Sequence, residues 1–431
     1  MPEFLKLSSP REAIKILLHT LQDREPNTET INTILAIGRV MGENVVSPHP
    51  LPEFPRSTVD GYALRACETF GVSESLPGYL NMAGEIPMGA IPSIILNPGS
   101  CALIHTGGML PEGADAVIML EYTQRVERSR PDMDASSGNP STEIEISRAV
   151  AEGENILQIG EDVIKDQVVL RTGARIRPME IGSCMALGIL ELRVVKKPKI
   201  GILSSGNEVI SPMANPLPGQ VRDVNSYSLA ALVSQAGGEP ILYGILPDNL
   251  QRLKKIAKKA ITQCDMLVVT AGSSASVHDM TSEVIASLGT PGVLVHGVNV
   301  RPGKPTILAV CEGKAVVGLP GNPVSALIIA GLFVVPVIEK LLGALPKPKP
   351  AVRAKLTVNV PSQAGREDWV AVKLEANDEM KPDRTGIPYL ARPVFAKSNL
   401  IFSLTLADGL IRIPPETTGM TAGEDVEVNL F

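Results

Sequence analysis

The stretch "EPILYGILPDNLQRLKKIAKKAITQCDMLVVTAG" (Glu239–Gly272) decides the fold class. It opens with an apolar, β-forming run, "EPILYGIL", and breaks at Pro247–Asn249. "NLQRLKKIAKKAITQC" then places its apolar residues at three- and four-residue intervals, the period of an amphipathic helix. "DMLVVTAG" is apolar on successive residues, so both of its faces are buried. Strand, helix and strand of these lengths form a crossover unit, and such strands belong in a mostly parallel sheet covered on both faces by helices. From about Pro198 onward the pattern repeats. "KIGILSS" (Lys199–Ser205) is a strand, "SYSLAALVSQAGG" (Ser226–Gly238) a helix stopped by glycines, and "DMTSEVIASLG" (Asp279–Gly289) a helix.

A chain of 431 residues is too long for one core; it divides into roughly two to four domains. The 44% apolar fraction excludes long disorder. Aromatic residues make up 3%, with a single Trp, which argues against base-stacking platforms. A formal charge of -6 and a pI near 5.6 argue against binding to a phosphate backbone. No nucleic-acid partner is expected, and any anion must be held locally. Cys67, Cys101, Cys184, Cys264 and Cys311 form no CxxC pair and read as reduced core residues of a cytosolic protein. The histidines show no HExxH spacing. "MPEFLKLSSPREAIK" has no secretory pattern, and the longest apolar run, "ALIIAGLFVVPVI", is shorter than the ~18 residues of a membrane span. A soluble, cytoplasmic protein without a membrane partner is the expectation.

"SPREAIKILLHTLQ" begins with Ser9 as N-cap and Pro10 at the first helical position. A second short helix is expected at "NTETINTILAIGRVMG" (Asn27–Gly42). From Val45 to Ile146, pieces such as "CALIHTG" and "DAVIMLEY" alternate with Pro/Gly turns, as in a small β module. Its tail, "RSRPDMDASSGNPSTE" (Arg128–Glu143), reads as a polar loop. "PMEIGSCMALGI" (Pro178–Ile189) reads as helical and, with the N-terminal helices, makes a discontinuous domain around the β module. "ALPKPKPAV" after Gly343 is a stiff linker into a second small β domain containing "VAVKLEA", "DGLIRIP" and "EDVEVNLF".

In open α/β sheets, ligands bind beyond the carboxyl ends of the strands. Four loops of this chain belong there: "SSGNEV" (Ser204–Val209), "LPDN" (Leu246–Asn249), "TAGSSASVHD" (Thr270–Asp279) and "GLPGNPVS" (Gly318–Ser325). Glu208, Asp248 and Asp279 thereby share an edge with Gly and Ser residues suited to phosphate groups. Carboxylates beside phosphates suit a bridging Mg²⁺. Taken singly, Asp279 caps a helix and Asp248 makes a turn. "GQVRDVNSYSLAAL" offers Asn225 or Ser226 as a helix cap. "NVRPGKP" sets Arg301 and Lys304 around a Pro-Gly turn that could clamp an oxyanion, although solvated turn residues are the commoner case. In "PRSTVDGYALRA", Asp60-Gly61 reads from spacing alone as a hairpin turn. In "GLPGNPVSAL", Asn322 caps and Pro323 begins a helix. No Ser/His/Asp order, Cys/His pair or P-loop lysine is present.

Taken together, "PRSTVDGYA", "IHTGGMLPEGADAVIMLE", "GED" (Gly160–Asp162), "SSGNEV", "GQVRDVNS", "RPGKP" and "GLPGNPVSAL" resemble, in order along nearly the whole chain, the molybdopterin molybdenumtransferase family that includes bacterial MoeA and the E domain of gephyrin. The fold class is then multidomain α/β plus β: a three-layer α/β molybdopterin-binding domain with a discontinuous helical domain and two small β domains. The boundaries are 1–50 with 148–197, 51–147, 198–345 and 346–431. The resemblance implies an elongated homodimer with its active site between subunits. It implies hydrolysis of adenylylated molybdopterin, departure of AMP, and transfer of molybdate to the dithiolene sulfurs, with Mg²⁺ as helper. Asp60, Thr106, Asp162, Glu208 and Asp279 become the catalytic set. Gly272, Ser273, Ser274, Ser276, Asp248, Pro320, Gly321, Asn322 and Pro323 become the molybdopterin and phosphate set. Arg301 and Lys304 meet the oxyanion, and Glu208 with Asp279 meet the metal. Other molybdenum cofactor biosynthesis proteins are further partners.

The chain departs from the family pattern at three places. The usual "GGVSVG" loop is "AGSSASVH", the usual Thr-Gly-Asp-Glu is Ser205-Gly206-Asn207-Glu208, and an arginine of the C-terminal β domain is Ala371. Alternatives are a divergent paralogue (tungstate insertion, or molybdopterin adenylyltransferase) and a non-catalytic gephyrin-like scaffold. The adenylyltransferase would not need the flanking β modules. The scaffold would carry interaction linkers, for which only the loop near Ser136–Thr142 qualifies.

Overall fold

The computed structural model describes residues 7–128, 141–271, 275–377 and 387–431, without the side chains at 128, 141, 271 and 275–279. The chain forms two compact units. One comprises Asn44–Arg171 and Met179–Leu190; the other comprises Met1–Glu43, Thr172–Pro178 and Glu191–Phe431.

The larger unit is built on a six-stranded sheet. Its strands lie in the order Glu239–Leu246, Lys199–Ser205, Met266–Ala271, Lys314–Pro320, Ile307–Cys311 and Pro291–His296. The first four are parallel, and the last two are paired antiparallel. Successive residues face opposite layers, as pleating requires. Ile200, Ile202, Met266, Val268, Val317 and Leu319 pack with Ala13, Leu17, Leu229, Val233, Phe333 and Val337. Leu203, Leu267, Val269 and Val316 pack with Leu253, Ala257, Val284 and Ile285 on the other side. The result is a three-layer α/β arrangement, with the helices Pro10–Thr20 and Asn225–Ala236 on one face and Leu250–Gln263 and Ala275–Ala286 on the other. Ser9 Oγ accepts the Glu12 N–H, so the first helix starts where its cap predicts.

Pro323–Leu341 is a 19-residue helical stretch, apolar enough by length and composition to cross a membrane, yet more than half of it is buried inside the fold. It is longer than the apolar run that the sequence delimits, because α, π and α segments join end to end. Its buried side chains, among them Phe333, Val334 and Ile338, belong to the core of the sheet.

The same unit contains a second sheet, in which Glu367–Ala376, Tyr389–Pro393, Ala351–Leu356, Asp425–Leu430 and Gly409–Ile413 pair in sequence and the last returns to the first. This closed barrel has its own core, including Val372, Ala391, Ile411 and Val428. In the smaller unit, a six-stranded sheet runs Ala116–Met119, Gly61–Leu64, Ser100–Ile104, Gly78–Glu85, Ser141–Ile146, Thr123–Arg128. The polar loop expected over Arg128–Glu143 therefore gives way to strand by Ser141; residues 129–140, with most of the Ser136–Thr142 loop, lie outside the described residues.

Two further sequence expectations change in this part of the fold. Asn27–Gly42 is not a helix. Thr28–Asn32 pairs antiparallel with Glu191–Val195, and only Thr33–Leu35 turns, as a 3₁₀ segment capped by Asn32. Cross-strand pairing with a distant segment overrides the local apolar spacing. Of the five thiols, four are buried and Cys67 is exposed. Burial pushes Cys101 up to about 12 and Cys311 to about 11, which leaves both as unreactive thiols at neutral pH.

Phe333 is among the largest fully buried side chains and sits under the parallel sheet. Phe333→Ala is expected to lower the unfolding free energy of the larger unit by about 3–5 kcal/mol, read as a shift of the urea midpoint in circular dichroism.

Candidate active site

The parallel strands deliver three described loops to one edge. Asn207 and Glu208 follow Lys199–Ser205, Pro247–Asn249 follows Glu239–Leu246, and Gly321–Asn322 follows Lys314–Pro320. The fourth loop follows Met266–Ala271. Gly272, Ser273 and Ser274 lie outside the described residues, as do the side chains of Ser276 and Asp279, whose backbone lies in the helix Ala275–Ala286.

Asn207 and Asp248 clip two of these loops together. The Asp248 N–H donates to Asn207 Oδ1 at 3.1 Å, and the Asn207 N–H lies 3.4 Å from Asp248 Oδ2. The amide at position 207 thus faces Asp248 without the repulsion a second carboxylate would add. Asp248 Oδ1 is shut off from solvent and has no hydrogen-bond partner among the described residues. Glu208 is exposed.

A cavity of about 370 Å³ opens at this edge, lined by Ser204, Ser205, Glu208, Asp223, Asn225 and Thr270, with Gly321–Pro323 and Asn399. Neither Asn225 nor Ser226 caps the helix Asn225–Ala236. Asp223 Oδ1 accepts the Ser226 N–H instead, at 3.0 Å. Asn225 is thereby freed to reach the signature turn, where its Nδ2 donates to Gly321 O at 2.8 Å. Asn225 Oδ1 is buried without a partner among the described residues, an acceptor left for a ligand or a water.

On the other side of the same turn lies a cavity of about 770 Å³. Arg301, Lys304, Pro320, Asn322, Arg366 and Lys397 contribute to its wall. Pro323 begins its helix, as the sequence indicates, and the Ala326 N–H donates to Asn322 O. The Asn322 side chain does not cap, however. Its Nδ2 donates to Ser398 Oγ at 3.0 Å, and the Val324 N–H donates to Ser398 O at 3.1 Å. A first-turn donor is thus satisfied by a residue more than 70 positions away in the chain. Gly303 adopts φ +116°, and a Cβ there would collide with the Ile329 side chain, so the Arg301–Lys304 turn is pressed against the helix.

The smaller unit brings Asp60 and Thr106 together. Asp60 is not in a hairpin: Gly61–Leu64 pairs with Ser100–Ile104 and Ala116–Met119 in the middle of a sheet. Asp60 Oδ1 accepts from the Thr106 N–H at 2.8 Å and the Thr106 hydroxyl at 3.1 Å. Two neighbours escape the sequence reading: His105 Nδ1 lies 3.7 Å from Asp60 Oδ1, and its Nε2 lies 3.1 Å from Glu85 Oε1. Asp162 is exposed, with its N–H on Leu51 O. Glu85 lies in a strand with no motif around it, so only the folded sheet reveals it.

The Thr106 N–H, then its hydroxyl, hold the Asp60 carboxyl below its ordinary value, with His105 a smaller aid and desolvation opposing. A lowered folded value means that the interaction stabilises fully above the unfolded value, about 3.9, and is lost as pH falls through the folded one. The Thr106 amide resonance is expected to titrate with a midpoint below that of a free Asp, and Asp60→Asn to abolish the transition.

Comparison with known proteins agrees in order along the chain. Residues 8–188 match the MoeA N-terminal region (domain I and II), 201–340 the "Probable molybdopterin binding domain", and 353–431 the MoeA C-terminal region (domain IV). The molybdopterin molybdenumtransferase of Bacillus subtilis is 32% identical, over 97% of this chain and 93% of that protein. That of Haemophilus influenzae is 32% identical over 94% of each. A crystal structure of the molybdopterin biosynthesis MoeA protein from Pyrococcus horikoshii superposes with a TM-score of 0.82 at 33% identity, covering 99% of this chain and all of that one. The chain belongs to the MoeA family.

Proposed function

We propose that this protein is a molybdopterin molybdenumtransferase, which takes adenylylated molybdopterin and molybdate, releases AMP, and leaves the metal on the dithiolene sulfurs. The observation that carries the reading is Asn322, which lines two chemically different cavities, with Gly321 and Pro323 on the smaller one and Pro320 and Val324 on the larger. One is rich in acceptors: Glu208, Asp223 and the unpartnered Asn225 Oδ1. The other is rich in cations. A substrate with a heterocycle at one end and an anionic reacting centre fits that division. Arg301 and Lys304 meet molybdate, while Pro320, Gly321, Asn322 and Pro323 form the wall. Gly272, Ser273, Ser274, Ser276 and Asp248 serve the molybdopterin and phosphate end. Glu208 and Asp279 are our catalytic candidates in the larger unit, and Asp60, Thr106 and Asp162 those in the smaller unit.

Cleavage of the phosphoanhydride then rests on positioning and charge neutralisation, with no covalent nucleophile. The cations offset the charge of molybdate and phosphate, and the carboxylates orient water. The solvent-shielded, unpartnered Asp248 Oδ1 is a hard oxygen of the kind Mg²⁺ takes. Among the described residues there is no group of three or more His, Cys, Asp or Glu that could hold a metal ion. Glu208 and Asp279, with Asp248 nearby, would hold it. When bound, it supplies neutralisation of phosphate charge.

We read the protein as a cytoplasmic homodimer that exchanges its pterin with other molybdenum cofactor biosynthesis proteins. Ile34, Leu35 and Ile37 are 65%, 71% and 53% exposed, an apolar group in the larger unit suited to a second copy. The four segments drawn from the sequence, 1–50 with 148–197, 51–147, 198–345 and 346–431, remain our proposed division of the chain.

Wild-type protein given adenylylated molybdopterin, molybdate and Mg²⁺ is expected to release AMP and form active cofactor, and Asp279→Ala to lose at least about 100-fold. Absence of AMP release by the wild type would refute the activity. Light scattering is expected to give twice the 45.7 kDa chain mass, and a strict monomer would refute the dimer.

A further inference from the structure

The cavity of about 770 Å³ carries more positive charge than Arg301 and Lys304 supply. Arg366, just before the strand Glu367–Ala376, and Lys397, beside the Ser398 that ties the barrel to the signature turn, also line it. Asp368 is the one carboxylate among its described lining residues and is 3% exposed. It takes Arg366 in a two-pronged bond, Nε to Oδ1 at 2.7 Å and Nη2 to Oδ2 at 3.0 Å. Arg301 Nη1 lies 3.7 Å from the same Oδ2. A buried carboxylate held this way fixes a guanidinium in one orientation and neutralises one charge, leaving the cavity a cationic surplus. The Arg366 Nη1 hydrogens remain outside that bond, with Gln363 Oε1 only at 3.5 Å. Ala371 and Arg366 line the same cavity, so a guanidinium on its wall does not require an arginine at position 371.

We propose that Arg366 and Lys397 are anion-binding residues of this cavity, and that Asp368 is a positioning residue holding Arg366 and Arg301 on one wall, so that the seat takes a tetrahedral dianion of the molybdate type. The proposal rests on the reading that molybdate is a substrate. A binding measurement tests it without turnover.

Full-length protein is titrated by calorimetry with sodium molybdate and, separately, with adenylylated molybdopterin. Lys397→Gln and the double variant Arg366→Gln/Asp368→Asn, which strands no buried charge, are each expected to weaken molybdate about tenfold, or 1.4 kcal/mol. Both should bind adenylylated molybdopterin as the wild type does, which a merely structural loss would not permit. Arg366→Lys keeps the charge without the planar fork and is expected to lose about threefold. If these variants keep wild-type molybdate affinity while Arg301→Gln loses it, the seat is Arg301 and Lys304 alone and the proposal is overturned, with the enzymatic reading intact. If the wild type binds neither molybdate nor adenylylated molybdopterin, the enzymatic reading fails and the proposal falls with it.

Discussion

Parallel strands run in one direction, so Glu239–Leu246, Lys199–Ser205, Met266–Ala271 and Lys314–Pro320 all release the chain at the same edge. The loops that carry Glu208, Asp248 and Asn322 in the larger unit depend on that pairing. It sets Asn207 against Asp248, opens the acceptor-lined cavity between the Glu208 loop and the Gly321–Pro323 turn, and places Asn322 on the wall of both cavities. The pairing is stable only because both faces of the sheet are covered, and the residue-by-residue alternation of Met266, Leu267, Val268 and Val269 between two cores supplies that cover.

The turn is then fixed from both sides. Asn225 holds the Gly321 carbonyl from the neighbouring helix start, while Ser398 takes both the Val324 N–H and the Asn322 amide. Each bond contributes on the order of 1 kcal/mol, but together they leave the turn one geometry. A wall that serves two cavities must not shift when either fills. Rigid supports of this kind are what a site needs for accurate positioning.

The three-layer sheet is legible because its signal is local: an apolar run, a period of 3.6, a glycine stop. Asn27–Gly42 is misread for the opposite reason. Its partner strand, Glu191–Val195, lies some 160 residues away, and nothing near Ile31 or Leu35 announces it. The Asn322 cap fails likewise, because Ser398 captures the side chain from 76 positions downstream. The barrel strands are visible one by one, but their closure through Asp368↔Ile413 to Val372↔Gly409 is a register that no single strand contains. Of the candidate residues in the smaller unit, Asp60 and Thr106 come from motifs and are hydrogen-bonded to each other, whereas Glu85 has only its place in the sheet to mark it.

A chain with a formal charge of -6 cannot attract oxyanions through its net field. It has to concentrate cations where they are wanted and keep them from pairing away. Several guanidiniums elsewhere among the described residues are spent on carboxylates, as Arg39 is on Glu29 and Arg392 on Glu375. The 770 Å³ cavity differs, because a single buried carboxylate is shared among its cations. Asp368 therefore does two opposing things: it lowers the total positive charge and makes what remains directional. A fixed guanidinium loses less entropy on binding than a free one, so the charge given up to Asp368 is partly returned as preorganisation.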